Sequence, residues 1–296
     1  MSVEPSLPEA WQLTDRASIA AQSRFLLSTR VQLLLLVVAS GIGVITWVSG
    51  DIDIAALAAG AGLVAAAAVR FLVSRTKPHR TWYEGRAAAE SLKTLAWRYA
   101  VGAQPFPIES SRAQEDFQVQ AREVFSDLTS VPTEARAPEN VRPTSWMGEL
   151  RAASLQERKS DYLRDRIEDQ FDWYSSKSAW NRRRARFWSG AILVLLLIAA
   201  AGAFLKGFGV IDLDLFGVAG AVVASAAAWS ETKQHSSLAN AYRVAADELA
   251  SIRELLGPVR DESEWSKLVG EAEAAISREH TMWKASSSKR KPAGLA

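Results

Sequence analysis

The sequence predicts an all-α membrane protein with four transmembrane helices in two hairpins and with cytoplasmic helical extensions. Its 296 residues have an ordinary bulk composition, 48% hydrophobic and 23% charged, with a formal net charge of +2. The apolar residues, however, are gathered into four blocks, and charged residues fill the segments between them. The lack of cysteine excludes disulfides and thiolate metal sites. The nearly balanced charge argues against a nucleic-acid partner.

The four blocks predict spans at about 31–49, 54–73, 187–205 and 213–230. A hydrocarbon core about 30 Å thick needs roughly 20 helical residues. The first and third blocks reach this length without a charge, and the second does so if Arg70 extends its guanidinium to the head groups. The fourth block is the shortest and requires local thinning of the bilayer. A soluble bundle of buried helices is disfavoured, because soluble helices keep one polar face.

Short connections join the blocks into two hairpins, with GDID (50–53) at one tip and KGFGVIDLD (206–214) at the other. Lys and Arg flank the outer ends of both hairpins, whereas the tips carry a single cation, Lys206. Positive charges are retained on the cytoplasmic side of a membrane. Both termini and the middle segment are therefore expected to be cytoplasmic.

The two hairpins form an internal repeat. DIDIAALAAGAGLVAAAAV (51–69) aligns with DLDLFGVAGAVVASAAAW (212–229), and RAAAESLKTL (86–95) aligns with RVAADELASI (243–252). In both copies a Leu-rich span precedes an acidic tip, a small-residue span and an outgoing helix. The order of the elements indicates a duplicated hairpin unit.

The second span of each hairpin is rich in Ala and Gly. Small residues at four-residue spacing let helix backbones approach closely. Tight packing within a four-helix bundle is the favoured explanation, and the inner wall of an oligomeric pore is the alternative. The candidate pore-lining or helix-packing residues are Ala56, Gly60, Gly62, Gly217, Gly220 and Ala224.

Two Asp-x-Asp pairs lie at the hairpin tips, Asp51 with Asp53 and Asp212 with Asp214. Because Asp is favoured at helix N-caps, the preferred interpretation is solvated acids at helix starts. The alternative is an acidic ring that collects cations at the mouth of a pore. No catalytic, cofactor or metal site is expected, since the sequence contains no GxxxxGK[ST], HExxH or GxSxG pattern.

Polar helices are predicted outside the spans. The stretch 81–100 has an apolar stripe of Ala88, Leu92 and Leu95, and Pro105 and Pro107 should end it. A second helix is expected over 111–128, and a long helix from about Leu150 should run into the third block. That long helix carries a narrow apolar seam for helix–helix contact, formed by Tyr162, Ile167, Phe171, Tyr174 and Ser178.

The segments AAAESLKTLAWRYAVGAQPF (87–106) and DYLRDRIEDQFDWYSSKSAWNRRRARFW (161–188) each lie beside a two-span hairpin. They resemble tandem SLATT proteins, the SMODS- and SLOG-associating two-transmembrane effector domains of bacteria. The resemblance implies one unit at about 10–135, a linker at 136–144, a second unit at about 145–285 and a basic tail at 286–296.

The resemblance also implies a function. SLATT proteins are expected to act in bacterial conflict and antiviral defence, forming pores or perturbing the inner membrane when a nucleotide signal is sensed. The expected partners are the lipid bilayer, further copies of the chain, and a separate nucleotide-sensing or signal-producing protein. The alternative is a non-conducting membrane scaffold whose cytoplasmic helices dock a partner.

Overall fold

A computed structural model describes residues 6–126, 128, 131, 141–211 and 216–288, with side chains described up to residue 277. These residues are almost entirely helical. In chain order the elements are α1 (Glu9–Ile42), β1 (Val48–Ser49), β2 (Ile52–Asp53), α2 (Ile54–Thr76), α3 (Pro78–Val101), α4 (Ala113–Ser126), α5 (Ser145–Ala152), α6 (Leu155–Tyr162), a π-helical turn (Leu163–Glu168), α7 (Asp169–Gly207), α8 (Phe216–Lys233), α9 (His235–Leu256) and α10 (Glu262–Ser288).

The chain divides into two compact units that do not follow the sequence order. As far as the structure describes them, unit 1 takes in Met1–Gln22, His79–Ser176 and Tyr242–Ala296, and unit 2 takes in Ser23–Pro78 and Lys177–Ala241. Each unit therefore draws on both halves of the chain. The predicted linker at 136–144 is described only from residue 141 onward.

Unit 2 contains the apolar blocks. Within the described residues, three helical segments are long and apolar enough to cross a membrane: Glu9–Ile42, Ile54–Val101 and Leu155–Gly207. Only 6%, 6% and 0% of the residues in their most apolar windows are buried. The helix α8 is not among these segments, so the fourth span and the second hairpin stay predictions.

The first span differs from its prediction at one end. The helix α1 ends at Ile42, and residues 43–47 form a turn before β1 pairs antiparallel with β2. Gly50 turns the chain between the two strands with a φ of +62°, a conformation that costs glycine little. Residues 43–49 of the predicted 31–49 span are therefore non-helical. The amides of residues 43–45 bond carbonyls in the last turn of α1, and Val48 and Ser49 pair with β2.

Unit 1 has an apolar core, and the internal repeat is visible in it. The helices α3 and α9 place equivalent residues of the two copies in the core. The buried pairs are Ala88 with Ala245, Ala89 with Ala246, Leu92 with Leu249, and Leu95 with Ile252. Equivalent ion pairs also form on the two helices, Arg86 with Glu90 and Arg243 with Asp247. The apolar stripe predicted for 81–100 is thereby confirmed.

The seam of the long helix is also confirmed. Tyr162, Ile167, Tyr174 and Ser178 are at most 6% exposed, and Phe171 packs against the core of unit 1. Its five-residue step from Tyr162 to Ile167 coincides with the π-helical turn, in which hydrogen bonds join residues five apart. The wider turn explains how both side chains reach one face.

Buried cations hold the C-terminal end of α3. Arg158 is 2% exposed and donates a hydrogen bond to the carbonyl oxygen of Val101 at 2.8 Å. The indole Nε1 of Trp265 donates to the same oxygen at 2.9 Å, and Arg151 donates to the carbonyl of Tyr99. The last carbonyls of a helix have no partner within it, so these donors fix the helix end in the core.

Candidate functional site

The predicted small residues of α2 lie on two different faces of the helix. Ala56 and Gly60 are exposed, and a Cβ at Gly60 would meet open space. Gly62 faces α1, where a Cβ would lie only 3.1 Å from the Cβ of Ala39, which is 3% exposed. Gly62 therefore belongs to the packing between α1 and α2, whereas Ala56 and Gly60 are available to an external surface.

The predicted small residues of α8 all lie on its outer face. Gly217, Gly220 and Ala224 are exposed, and a Cβ at either glycine would meet open space. Their spacing of three and four residues places them on one side of the helix. The two small-residue helices thus both present uncovered positions where another backbone could approach closely.

The tip acids can be placed only in part. Asp51 is exposed in the turn after β1, and Asp53 is the N-cap of α2, where its Oδ1 accepts a hydrogen bond from the Ala56 amide at 3.1 Å. Asp212 and Asp214 lie outside the described residues. Asp53 therefore has a structural role at a helix start, and a pore-mouth role for the four acids stays a prediction.

A buried charge network lies in unit 1. Arg166, on the π-helical turn, forms a two-pronged ion pair with Glu273 of α10, with Nε to Oε1 at 2.8 Å and Nη2 to Oε2 at 2.7 Å. Both side chains are 0% exposed. The hydroxyls of Thr94 and Tyr162 donate to the same carboxylate at 2.9 and 3.0 Å. The network ties α3, the π-helical turn and α10 together.

The charge state of Glu273 follows from these contacts. Burial alone would raise its pKa, but the Arg166 guanidinium and the hydrogen bonds from Arg166, Thr94 and Tyr162 outweigh burial and hold the pKa below its ordinary value. Burial and the neighbouring carboxylate raise the pKa of the Tyr162 phenol. Glu273 is therefore a carboxylate and Tyr162 a neutral hydrogen-bond donor. The network has a structural role, since the Glu273 carboxylate accepts four hydrogen bonds from side chains of three helical segments; within the described residues Arg166 Nη1 is buried without a hydrogen-bond partner.

A cavity of about 400 Å³ lies beside this network, between α3, α4 and α10. Its walls include one cation, Arg98, and one carboxylate, Glu123, together with Ser91, Gln120 and Ser277. Arg98 donates to the carbonyl of Gly270 at 2.7 Å. The walls of the cavity therefore carry both signs of charge.

Sequence reasoning missed Arg166 and Glu273. Both stand among charged neighbours, in RDRIED and GEAEAA, which are typical of solvated helix surfaces. The position of Glu273 could have indicated its burial, because it falls on the apolar helix face that also carries Val269 and Ile276. A single acid within such a stripe indicates a buried partner of opposite charge.

Two family profiles match the chain in tandem. SMODS and SLOG-associating 2TM effector domain 3 matches residues 8–159, which is more than half of the chain. The chain belongs to the SLATT family. SMODS and SLOG-associating 2TM effector domain 1 matches residues 162–283, so the protein is a tandem SLATT protein. Neither a curated protein nor a solved structure is significantly similar to it.

The family assignment agrees with the exposed apolar helices of unit 2, and together they make this SLATT protein a membrane protein. Both matched segments contribute to each compact unit. The buried network shows this directly, because Thr94 lies in the first matched segment and Arg166 and Glu273 lie in the second.

The packing of α1 on α2 gives a first prediction. Gly62→Leu should destabilise the protein by about 1–3 kcal/mol, because the new side chain overlaps Ala39. Gly60→Leu, on the exposed face of the same helix, is the matched control and should leave the melting temperature in detergent nearly unchanged. Equal losses in the two variants would contradict the assigned faces.

The buried ion pair gives a second prediction. Glu273→Gln should cost about 3–5 kcal/mol, because it leaves the Arg166 charge buried without a counter-charge. The control is Glu271→Gln, an exposed position two residues earlier on α10. Circular dichroism melts of the two variants measure the difference. The double variant Arg166→Met with Glu273→Leu should regain part of the loss, because no charge is left unpaired although the Thr94 and Tyr162 hydroxyls lose their acceptor. A double variant as unstable as Glu273→Gln would contradict the assigned ion pair.

Stability should also depend on pH through Glu273. Since its folded pKa is lowered from the ordinary 4.5, the folded state binds fewer protons than the unfolded state as the pH falls. Its stabilising contribution is complete above about pH 4.5 and is lost as the pH falls through the folded pKa. Melts of the wild type below pH 4.5 should therefore decline more steeply than melts of Glu273→Gln, and parallel curves would contradict the assignment.

Proposed function

We propose that this tandem SLATT protein is an effector of a bacterial conflict or antiviral defence system that oligomerises in the inner membrane and permeabilises it. The matched domains are described as effector domains with two transmembrane helices, which supports an action on the bilayer itself. The observation that carries the proposal is the exposed small-residue surface of unit 2, on α2 and α8.

That surface supports assembly between copies. Ala56 and Gly60 on α2, and Gly217, Gly220 and Ala224 on α8, are uncovered in the single chain. In lipid, helices associate through close van der Waals packing of small residues rather than through the hydrophobic effect. Too few helices are present in one chain to enclose a channel, so a pore needs several copies.

The proposed topology places four spans in two hairpins, with both termini in the cytoplasm. The distribution of Lys and Arg around the blocks supports this orientation. Activation is proposed to come from a separate nucleotide-sensing or signal-producing partner that binds unit 1. In the open state the acids at the hairpin tips, Asp51, Asp53, Asp212 and Asp214, would collect cations at the pore mouth.

The proposal is tested by ion flux. Purified protein, cross-linked as an oligomer, is reconstituted into liposomes loaded with an ion-sensitive dye, and cells expressing the protein are followed with a potential-sensitive dye. A fluorescence change of the enclosed dye and a loss of membrane potential are expected. Tight vesicles and an intact potential under every trigger applied, with oligomers demonstrably inserted, would overturn the proposal.

A non-conducting scaffold is the second candidate. The cavity and polar helices of unit 1 favour it, because they offer a partner a structured surface that needs no pore. Recovery of one stoichiometric partner with intact vesicles would favour the scaffold over the pore.

The outer face of α8 gives a further prediction. Gly220→Leu should reduce the cross-linked oligomer and the ion flux about tenfold or more, because losing roughly 1.4 kcal/mol of helix packing lowers association tenfold. Gly190→Leu is the control, since Gly190 on α7 also faces open space. Chemical cross-linking and liposome flux measure both variants, and unchanged flux in Gly220→Leu would contradict the assigned interface.

A further inference from the structure

Unit 2 gathers three cations from three helices. Arg30 of α1 lies with its Cζ 4.8 Å from the ring centroid of Trp229 on α8, and Lys233 places its Nζ 5.7 Å from the same centroid. Arg184 of α7 stacks on Trp180 at 5.3 Å. We call Arg30, Arg184 and Lys233 the basic cluster. Cation–π contacts hold these charges at defined places instead of leaving them to sample solvent.

The cluster is connected through a buried histidine. His235 is 4% exposed, its Nδ1 lies 2.8 Å from the Asn181 Oδ1, and its ring packs edge-on against Trp180. Burial, followed by the charges of Lys233 and Arg184, lowers the pKa of His235. Arg184 is linked to Lys233 by contacts, because Trp180 carries Arg184 and packs against His235, which stands two residues after Lys233.

The positive charge of the basic cluster lacks an acidic partner. In the part of the chain that the structure describes, no carboxylate forms an ion pair with any cation of the basic cluster, although Glu231 lies two residues before Lys233. Burial and the proximity of Arg30 lower the pKa of Lys233. Like charges held together without a counter-charge repel one another, and a bound anion relieves that repulsion.

The surroundings indicate which anion. Arg30 immediately precedes the apolar block that begins at Val31, and Lys233 ends α8 just after its apolar stretch. Trp229 stands at this boundary, where an indole bridges hydrocarbon and water. Basic pockets between transmembrane helices at a membrane surface bind anionic head groups.

We propose that Arg30, Lys233 and Arg184 form a binding site for the phosphate of an anionic phospholipid head group. The two cations on Trp229 contact the phosphate, and the acyl chains follow the exposed apolar surfaces of α1 and α8. Arg184 adds charge from α7. The site needs unit 2 in a bilayer but needs no pore, so it goes beyond the effector function and can hold for a scaffold as well.

The test is native mass spectrometry of the full chain, delipidated in neutral detergent and titrated with phosphatidylglycerol or phosphatidylcholine. The wild type should bind a first phosphatidylglycerol more tightly than phosphatidylcholine. The double variant Arg30→Gln with Lys233→Gln should weaken binding of the first phosphatidylglycerol by about 25-fold, roughly fivefold for each cation. The control, Arg182→Gln with Arg183→Gln, removes two cations of α7 that are exposed and therefore screened by solvent and salt, and it should change binding of the first phosphatidylglycerol less than about twofold.

The lipid site would be overturned if the wild type showed no preference for phosphatidylglycerol, or if the two double variants lost equal affinity for it. Displacement of the lipid by millimolar inorganic phosphate would also overturn it, because the cluster would then be assigned to a free anion. Circular dichroism melts verify that each variant is folded. Lys233→Arg, which keeps the charge, provides a second variant and should retain the lipid; its loss would also contradict the proposal. Liposome leakage is measured separately, so a failure of the pore proposal can be distinguished from a failure of the lipid-binding site.

Discussion

The apolar surface of unit 2 is the constraint on which the rest of the protein depends. Large aliphatic and aromatic side chains are exposed along α1, α2 and α7, among them Leu34, Leu63, Val64, Leu197 and Ile198. In water this surface would drive aggregation, because contiguous apolar patches of this extent are not tolerated on soluble monomers. In hydrocarbon it costs nothing, and the helices satisfy their own backbone hydrogen bonds. Lipid is therefore part of the folded state.

Unit 1, in contrast, buries the apolar residues that the two copies of the repeat contribute. Its core uses equivalent apolar positions of α3 and α9, and equivalent Arg–carboxylate pairs form on both helices. The two copies of the repeat differ at the network of Arg166 and Glu273. Thr94 bonds Glu273, whereas the aligned Ser251 bonds the backbone of its own helix at Asp247. Duplication thus supplies the shared packing, and a few buried polar residues make the two copies fit one core.

Much of this organisation could be predicted from sequence because it depends on local pattern. Apolar length located three candidate spans, in α1, α2 and α7, and helical periodicity located the stripe at Leu92 and the seam at Tyr162. The helix end at Ile42 could not be predicted from hydropathy, since residues 43–49 remain apolar and only the strand pairing reveals the change. Two further features depend on tertiary contacts, the interleaving of the matched segments and the burial of Glu273. For the candidate site, composition found the small residues, but only packing separated Gly62 from Gly60.

The most direct measurement of the central claim is membrane fractionation with alkaline carbonate extraction of cells that express the chain. Integral proteins resist carbonate because their helices are held by hydrocarbon, whereas proteins attached by charge are released. The protein is expected to stay in the pellet and to be released only by detergent. Recovery of folded protein in the carbonate supernatant would contradict it, because unit 2 would then be stable with its apolar side chains in water.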